Sequence, residues 1–272
     1  MNAGGASVGG ASAGGACVGG GSVGGGSGVR SVTVERRTAG DVPLLVARPA
    51  DQSGPLPLVL WFHGFRAEAA ANQAELVRLA ELGFLAVGVD AVGHGARRDP
   101  DLDARVAASP HGARPIMLAQ VRETAGEIPA IVGALAGAGL ARPCPVAVVG
   151  VSMGGYLAYL APLVEPDVSC VVALLGAPEW PDGDGPHRRA DVLRGVALLS
   201  ITAERDASVP PDAARRLHAR LDALDRRDPR GRPQPLPPQR YLELPGAPHL
   251  LAADEWATAM QATRDWLDRH AR

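Results

Sequence analysis

The stretch PVAVVGVSMGGYLAYL, residues 145–160, contains Gly-x-Ser-x-Gly at Gly150, Ser152 and Gly154. The same pattern recurs around Ser7, Ser12 and Ser22, so the surroundings must separate the copies. Ahead of Ser152, the apolar and β-branched run from Pro145 to Val149 reads as a buried strand. Behind it, Met153 to Pro162 is rich in Ala, Leu and Tyr and reads as a helix that begins at once. A strand that turns directly into a helix holds its corner residue in a strained backbone conformation, with the side chain projecting into the open. Gly150, Gly154 and Gly155 have no Cβ and let the two elements close around that corner. The other three serines have neither a strand before them nor a helix after them.

Those three lie in residues 1–28, which are almost entirely Gly, Ala, Ser and Val. Such a segment cannot bury enough surface to offset its backbone entropy and is expected to be a disordered tail ahead of a single domain, 29–272. It has neither the basic start nor the continuous apolar core of a signal peptide. No other stretch approaches the ~20 apolar residues of a membrane span. A cytoplasmic location with no membrane partner is the resulting expectation. Formal net charge is −2, and all the basic residues are arginines scattered without a stripe, which argues against nucleic acid as a partner. With 46% hydrophobic and 21% charged residues, the chain reads as one globular domain with a substantial core. Cys144 and Cys170 fall beside or within predicted buried strands and read as small apolar residues, while Cys17 lies in the tail. Their spacing fits no metal site, and no cofactor is expected.

From Ser31 onward, strand and helix signals alternate, which predicts a mostly parallel central sheet with helices on both faces. Val32–Val34 and Leu44–Val46 open it as an antiparallel pair. Leu58–Phe62, Phe84–Val89, Val168–Leu175, Val196–Ile201 and Tyr241–Leu244 supply further strands. Helices are predicted over 68–82, 116–140, 211–224 and 254–269, with Pro129 near a kink or boundary of the second. Residues 100–115 read as a loop or short excursion, and 228–239 as a surface loop.

A serine hydroxyl attacks a carbonyl only with a base to take its proton, a carboxylate to orient that base, and donors for the oxyanion. In an open α/β sheet these converge at the carboxyl ends of the strands. His249, between the last strand and the last helix, is the candidate base. His63 and His94 sit in Gly-flanked loops and are expected to shape them, and His111, His187, His218 and His270 follow no strand end. Asp206, just past the strand ending at Ile201, is the candidate acid, with Glu204 beside it and Glu179 as the alternative. The backbone N–H of Met153, at a helix start, and that of Phe65, in the loop after Phe62, are the candidate oxyanion donors. A dinucleotide site is excluded, since Gly150-Val151-Ser152 interrupts the Gly-x-Gly that a pyrophosphate turn needs.

His63-Gly64-Phe65, the Asp90-to-Gly95 loop, the Ser152 turn, Asp206 with Val209-Pro210, and His249 occur in this order, and together they resemble the α/β-hydrolase superfamily. Within it the chain is similar to small serine esterases of the dienelactone-hydrolase and prolyl-oligopeptidase-like group. The resemblance covers roughly 44–269. It implies Ser152, Asp206 and His249 as a catalytic triad, Phe65 and Met153 as oxyanion residues, and a small-molecule ester as substrate. It also implies a lid after the strand preceding the acid strand, where only the short, polar stretch 176–194 is available. That points to an open site for small or moderately polar esters. Asp182-Gly183-Asp184-Gly185 within it lacks the later Glu of a calcium loop and reads as a turn. Acyl transfer, peptide cleavage or peroxidation on the same scaffold, and a non-catalytic binding protein, remain open alternatives.

Overall fold

The computed structural model describes residues 30–226 and 236–272. The tail expected over 1–28, its three Gly-x-Ser-x-Gly copies and most of the loop expected over 228–239 lie outside the described residues.

Eight strands form one sheet: β1 (Val32–Ala39), β2 (Val42–Pro49), β3 (Leu56–Phe62), β4 (Leu85–Val89), β5 (Ala141–Val151), β6 (Val168–Leu174), β7 (Ala197–Ala203) and β8 (Gln239–Leu244). Their spatial order is β1-β2-β4-β3-β5-β6-β7-β8. Only the pairings of β1 with β2 and of β2 with β4 are antiparallel; the rest of the sheet is parallel. Parallel strands buried on both faces need apolar side chains in both directions, and every residue of β3, β4 and β7 is buried. Alternation then sorts them. Leu58, Leu60 and Phe62 pack towards one face, and Val59 and Trp61 towards the other.

The first face is covered by α3 (Arg114–Gly137), α4 (Met153–Val164), α5 (Ala190–Leu193) and α6 (Asp212–Arg226). The second is covered by α1 (Gln73–Glu81) and α7 (Ala253–His270). Among the described residues no helix is long and apolar enough to cross a membrane.

Four local expectations are revised. The stretch expected to be a loop over 100–115 contains a short helix, α2 (Leu102–Ala108), anchored by the buried side chain of Leu102. Pro129 does not end the helix: α3 runs through it, with Pro129 on the exposed face, where the ring meets no packed neighbour. Cys144 is exposed, because β5 shifts register between Ala141 and Val146 and pushes residues 142–144 out of the sheet; Cys170 is buried as expected. The stretch 176–194 is polar only in part, since Ala177, Trp180, Ala190 and Leu193 are buried in the core beside α4.

Candidate active site

β3, β5, β7 and β8 run in the same direction, so the loops that leave them emerge along one edge of the sheet. Ser152 lies between β5 and α4 with φ 54° and ψ −111°, a region that L-residues avoid. Two glycines make the corner sterically feasible. A Cβ on Gly150 would stand 1.9 Å from the carbonyl oxygen of Gly154, and one on Gly154 would stand 2.1 Å from that of Phe62. The strained residue is pinned from both sides: its N–H donates to the Leu174 carbonyl at 2.8 Å, and its carbonyl accepts from Tyr156 N–H at 3.1 Å.

Ser152 Oγ lies 3.0 Å from Nε2 of His249, and Nδ1 of the same ring lies 2.6 Å from Oδ2 of Asp206. An ionised carboxylate only accepts, so Nδ1 carries the proton and Nε2 presents its lone pair to the hydroxyl. The other oxygen of Asp206, Oδ1, accepts from the N–H groups of Ser208 and Val209, each at 2.8 Å. The Asp206 side chain is fully buried, whereas His249 is partly open to solvent.

Sequence-level reasoning misses how the imidazole is held in place. Glu204 is not a rival acid. Its Oε2 accepts from Gly246 N–H at 2.6 Å, its own N–H donates to Leu244, and Arg205 N–H donates to Ala247 at 2.9 Å. These bonds clasp the turn that carries His249 onto the end of β7. The only available signal is that Glu204 stands two residues before Asp206. Glu179 is engaged elsewhere, in a forked ion pair with Arg216 that holds its carboxyl below the usual carboxylate range.

The loop after β3 lies against the corner. A Cβ built on Gly64 would be 3.8 Å from that of Ser152, and Gly154 N–H donates to the His63 carbonyl at 3.1 Å. The N–H groups of Phe65 and Met153 donate to no acceptor among the described residues. His63 shapes this loop from below: Nδ1–H donates to the Gly64 carbonyl at 2.8 Å and Nε2 accepts from Ala91 N–H at 3.1 Å. Burial pushes its pKa down to about 4, so the ring is neutral with both nitrogens satisfied. The Asp90-to-Gly95 loop owes its shape to Asp90, whose carboxylate accepts from Ala69 N–H at 2.8 Å and Ala96 N–H at 2.9 Å.

A cleft of about 770 Å³ around Arg30, Arg142 and Arg272 lies at the opposite edge of the sheet; it includes Ser53, but no His, Asp or Glu lines it that could activate that hydroxyl. Among the described residues there is no group of three or more His, Cys, Asp or Glu that could hold a metal ion. Asp182 is paired with Arg122 and accepts from Asp184 N–H, as a turn residue does.

No family model matches the chain. It is 29% identical over 147 residues to esterase YjfP of Escherichia coli, an alignment spanning 54% of this chain and 56% of that protein. The fold is similar to that of a putative dienelactone hydrolase from Klebsiella pneumoniae, with a TM-score of 0.69 at 18% identity, covering 88% of this chain and all of that one. It is also similar to TT1662 from Thermus thermophilus, with a TM-score of 0.63 at 26% identity over 87% of this chain and 98% of that one. The strand order, the strained serine between β5 and α4 and the likeness to these structures agree: the chain has the α/β-hydrolase fold.

Proposed function

We propose that the chain is a serine hydrolase that cleaves carboxylic esters of small or moderately polar molecules through an acyl-enzyme on Ser152. The observation that carries this reading is the unbroken hydrogen-bonded series Ser152–His249–Asp206 at the carboxyl edge of the sheet. The partial likeness to an esterase supports it.

Ser152 Oγ attacks the ester carbonyl carbon while His249 Nε2 takes the hydroxyl proton. The carbonyl electron pair moves onto oxygen, and the resulting oxyanion accepts from the N–H groups of Phe65 and Met153, which have no other acceptor among the described residues. As the tetrahedral adduct collapses, the bond to the alcohol oxygen breaks and that oxygen receives the proton from His249. Water then repeats the sequence on the acyl-enzyme, gives its proton to Nε2 and releases the acid. Asp206 keeps the imidazole in one tautomer and stabilises its cationic form without itself accepting a proton.

A fluorophosphonate probe tests the nucleophile. Labelling of Ser152, with labelling and hydrolysis of a short p-nitrophenyl ester both lost in Ser152→Ala, is the expected result. Labelling of wild type without turnover of any ester across a series of acyl lengths points to another reaction on the same residues, and absence of both points to a binding protein.

A further inference from the structure

Arginines that look scattered along the chain gather at the edge of the sheet opposite Ser152. The cleft of about 770 Å³ there is lined by Arg30, Arg142 and Arg272 and by no Asp or Glu. Arg30 precedes β1, Arg142 lies where β5 bulges, and Arg272 follows α7. A Cβ built on Gly83 would stand 3.2 Å from Nη1 of Arg30 and 4.0 Å from Nη1 of Arg272, so the two cations face one small space. Like charges this close repel, and an anion between them turns that repulsion into attraction.

Arg272 is held ready for such a contact. Its Nε and Nη2 donate to Oδ1 of Asp268 at 2.9 and 2.6 Å, Nη2 also donates to the Leu82 carbonyl at 2.9 Å, and the guanidinium lies 4.9 Å from the centre of the Phe84 ring. Nη1 is left without an acceptor among the described residues. Arg30 meets Asp51 only at 4.0 Å, and the Arg142 side chain is exposed with no ion pair or hydrogen bond among the described residues. The backbone of the lining is also biased towards donors. The carbonyls of Gln52 and Leu82 already accept from Arg48 and Arg272, whereas the N–H groups of Ser53 and Gly54 donate to no acceptor among the described residues.

A carboxylate carries one charge on two oxygens, and a single guanidinium can engage both. Three guanidiniums beside free backbone donors match a phosphoryl group, with three acceptor oxygens and nearly two negative charges at neutral pH. We propose that this cleft is a binding site for a phosphoryl dianion, separate from the triad. The group can be free phosphate or part of a small organic molecule, for which Pro55 and Leu82 offer an apolar wall.

Calorimetry and phosphorus-31 NMR on the full chain, with phenyl phosphate, inorganic phosphate and benzoate as probes, test this. Phenyl phosphate should bind at least tenfold more tightly than benzoate, which has the same ring but fewer charges and oxygens. Tighter binding of phenyl phosphate than of inorganic phosphate assigns the site to an organic phosphate, and equal binding assigns it to the free ion. Arg142→Gln, which removes no contact within the fold, should weaken phenyl phosphate binding about tenfold, and Arg30→Gln should act similarly. Arg188→Gln, at an exposed position after β6, should leave it unchanged, as should Ser152→Ala at the other edge of the sheet. Absence of binding at millimolar phenyl phosphate, benzoate binding as tightly, or indifference to both Arg142→Gln and Arg30→Gln overturns the proposal. Loss of binding in Ser152→Ala overturns it too, by placing the phosphoryl group at the triad. The hydrolase reading stands or falls separately, on labelling and turnover at Ser152.

Discussion

Replacing Asp206 by Asn tests the tautomer logic of the site with almost no change of shape. The two carboxylate oxygens face different partners. Oδ1 accepts from two backbone N–H groups, and Oδ2 faces Nδ1 of His249. An Asn amide has one acceptor oxygen, and the two N–H donors of Ser208 and Val209 claim it. The NH2 group must then point at Nδ1, where it can only donate. His249 responds by moving its proton to Nε2, which turns a donor towards Ser152 Oγ and leaves no base. The expected loss is about 10,000-fold in kcat, or about 5.4 kcal/mol of transition-state stabilisation. Steady-state hydrolysis of p-nitrophenyl butyrate measures it, and the nitrogen-15 shifts of His249 report the tautomer independently. Thermal unfolding should change little, since the backbone donors keep their acceptor. Retention of more than about a tenth of wild-type kcat, or an unchanged tautomer, would refute the reasoning.

Glu204→Ala should lower kcat about tenfold by loosening the clasp on the turn that carries His249, with Glu204→Gln restoring most of it because the amide oxygen still accepts from Gly246; steady-state kinetics of the two variants decide. Glu179→Gln should leave kcat near wild type, since its partner is Arg216, and a loss like that of Asp206→Asn would reassign the acid. Ser152→Gly should be more stable than Ser152→Ala by about 1 kcal/mol, because only glycine takes φ 54° and ψ −111° without strain; urea unfolding compares them. Stability should fall as pH drops from about 6.5 towards 4. His63 and His218, both pushed down to about 4 by burial, bind protons in the unfolded chain before they do in the folded one. Each is worth on the order of 3 kcal/mol across that window, and a flat unfolding free energy between pH 7 and 4.5 would contradict it.

Much of this was legible in the linear chain because the relevant signals are local. Val146 to Val149 announces a buried strand, Met153 onward announces a helix, and the glycines between them fit only a sharp corner. The alternation of elements then fixes a parallel sheet, whose carboxyl edge locates His249 and Asp206. Features that depend on tertiary surroundings were not legible. Whether Glu204 or Asp206 faces the imidazole depends on which of them turns inward after β7. Pro129 survives in α3 because its side of the helix faces water, and Cys144 is exposed because β5 bulges; neither face nor bulge is written in residue type.

The pairing of β7 with β8, ending at Ala203 opposite Leu244, sets where both the acid and the imidazole begin. Asp206 follows the first by three residues and His249 follows the second by five. Ladder bonds therefore act as a ruler that meters the gap between two side chains distant in the chain. Slipping β8 by one residue would carry the imidazole about 3.3 Å along the strand axis, further than a hydrogen bond can stretch. Insertions ahead of Gln239 leave that ruler untouched, whereas a single deletion between Leu244 and His249 shortens it irreparably.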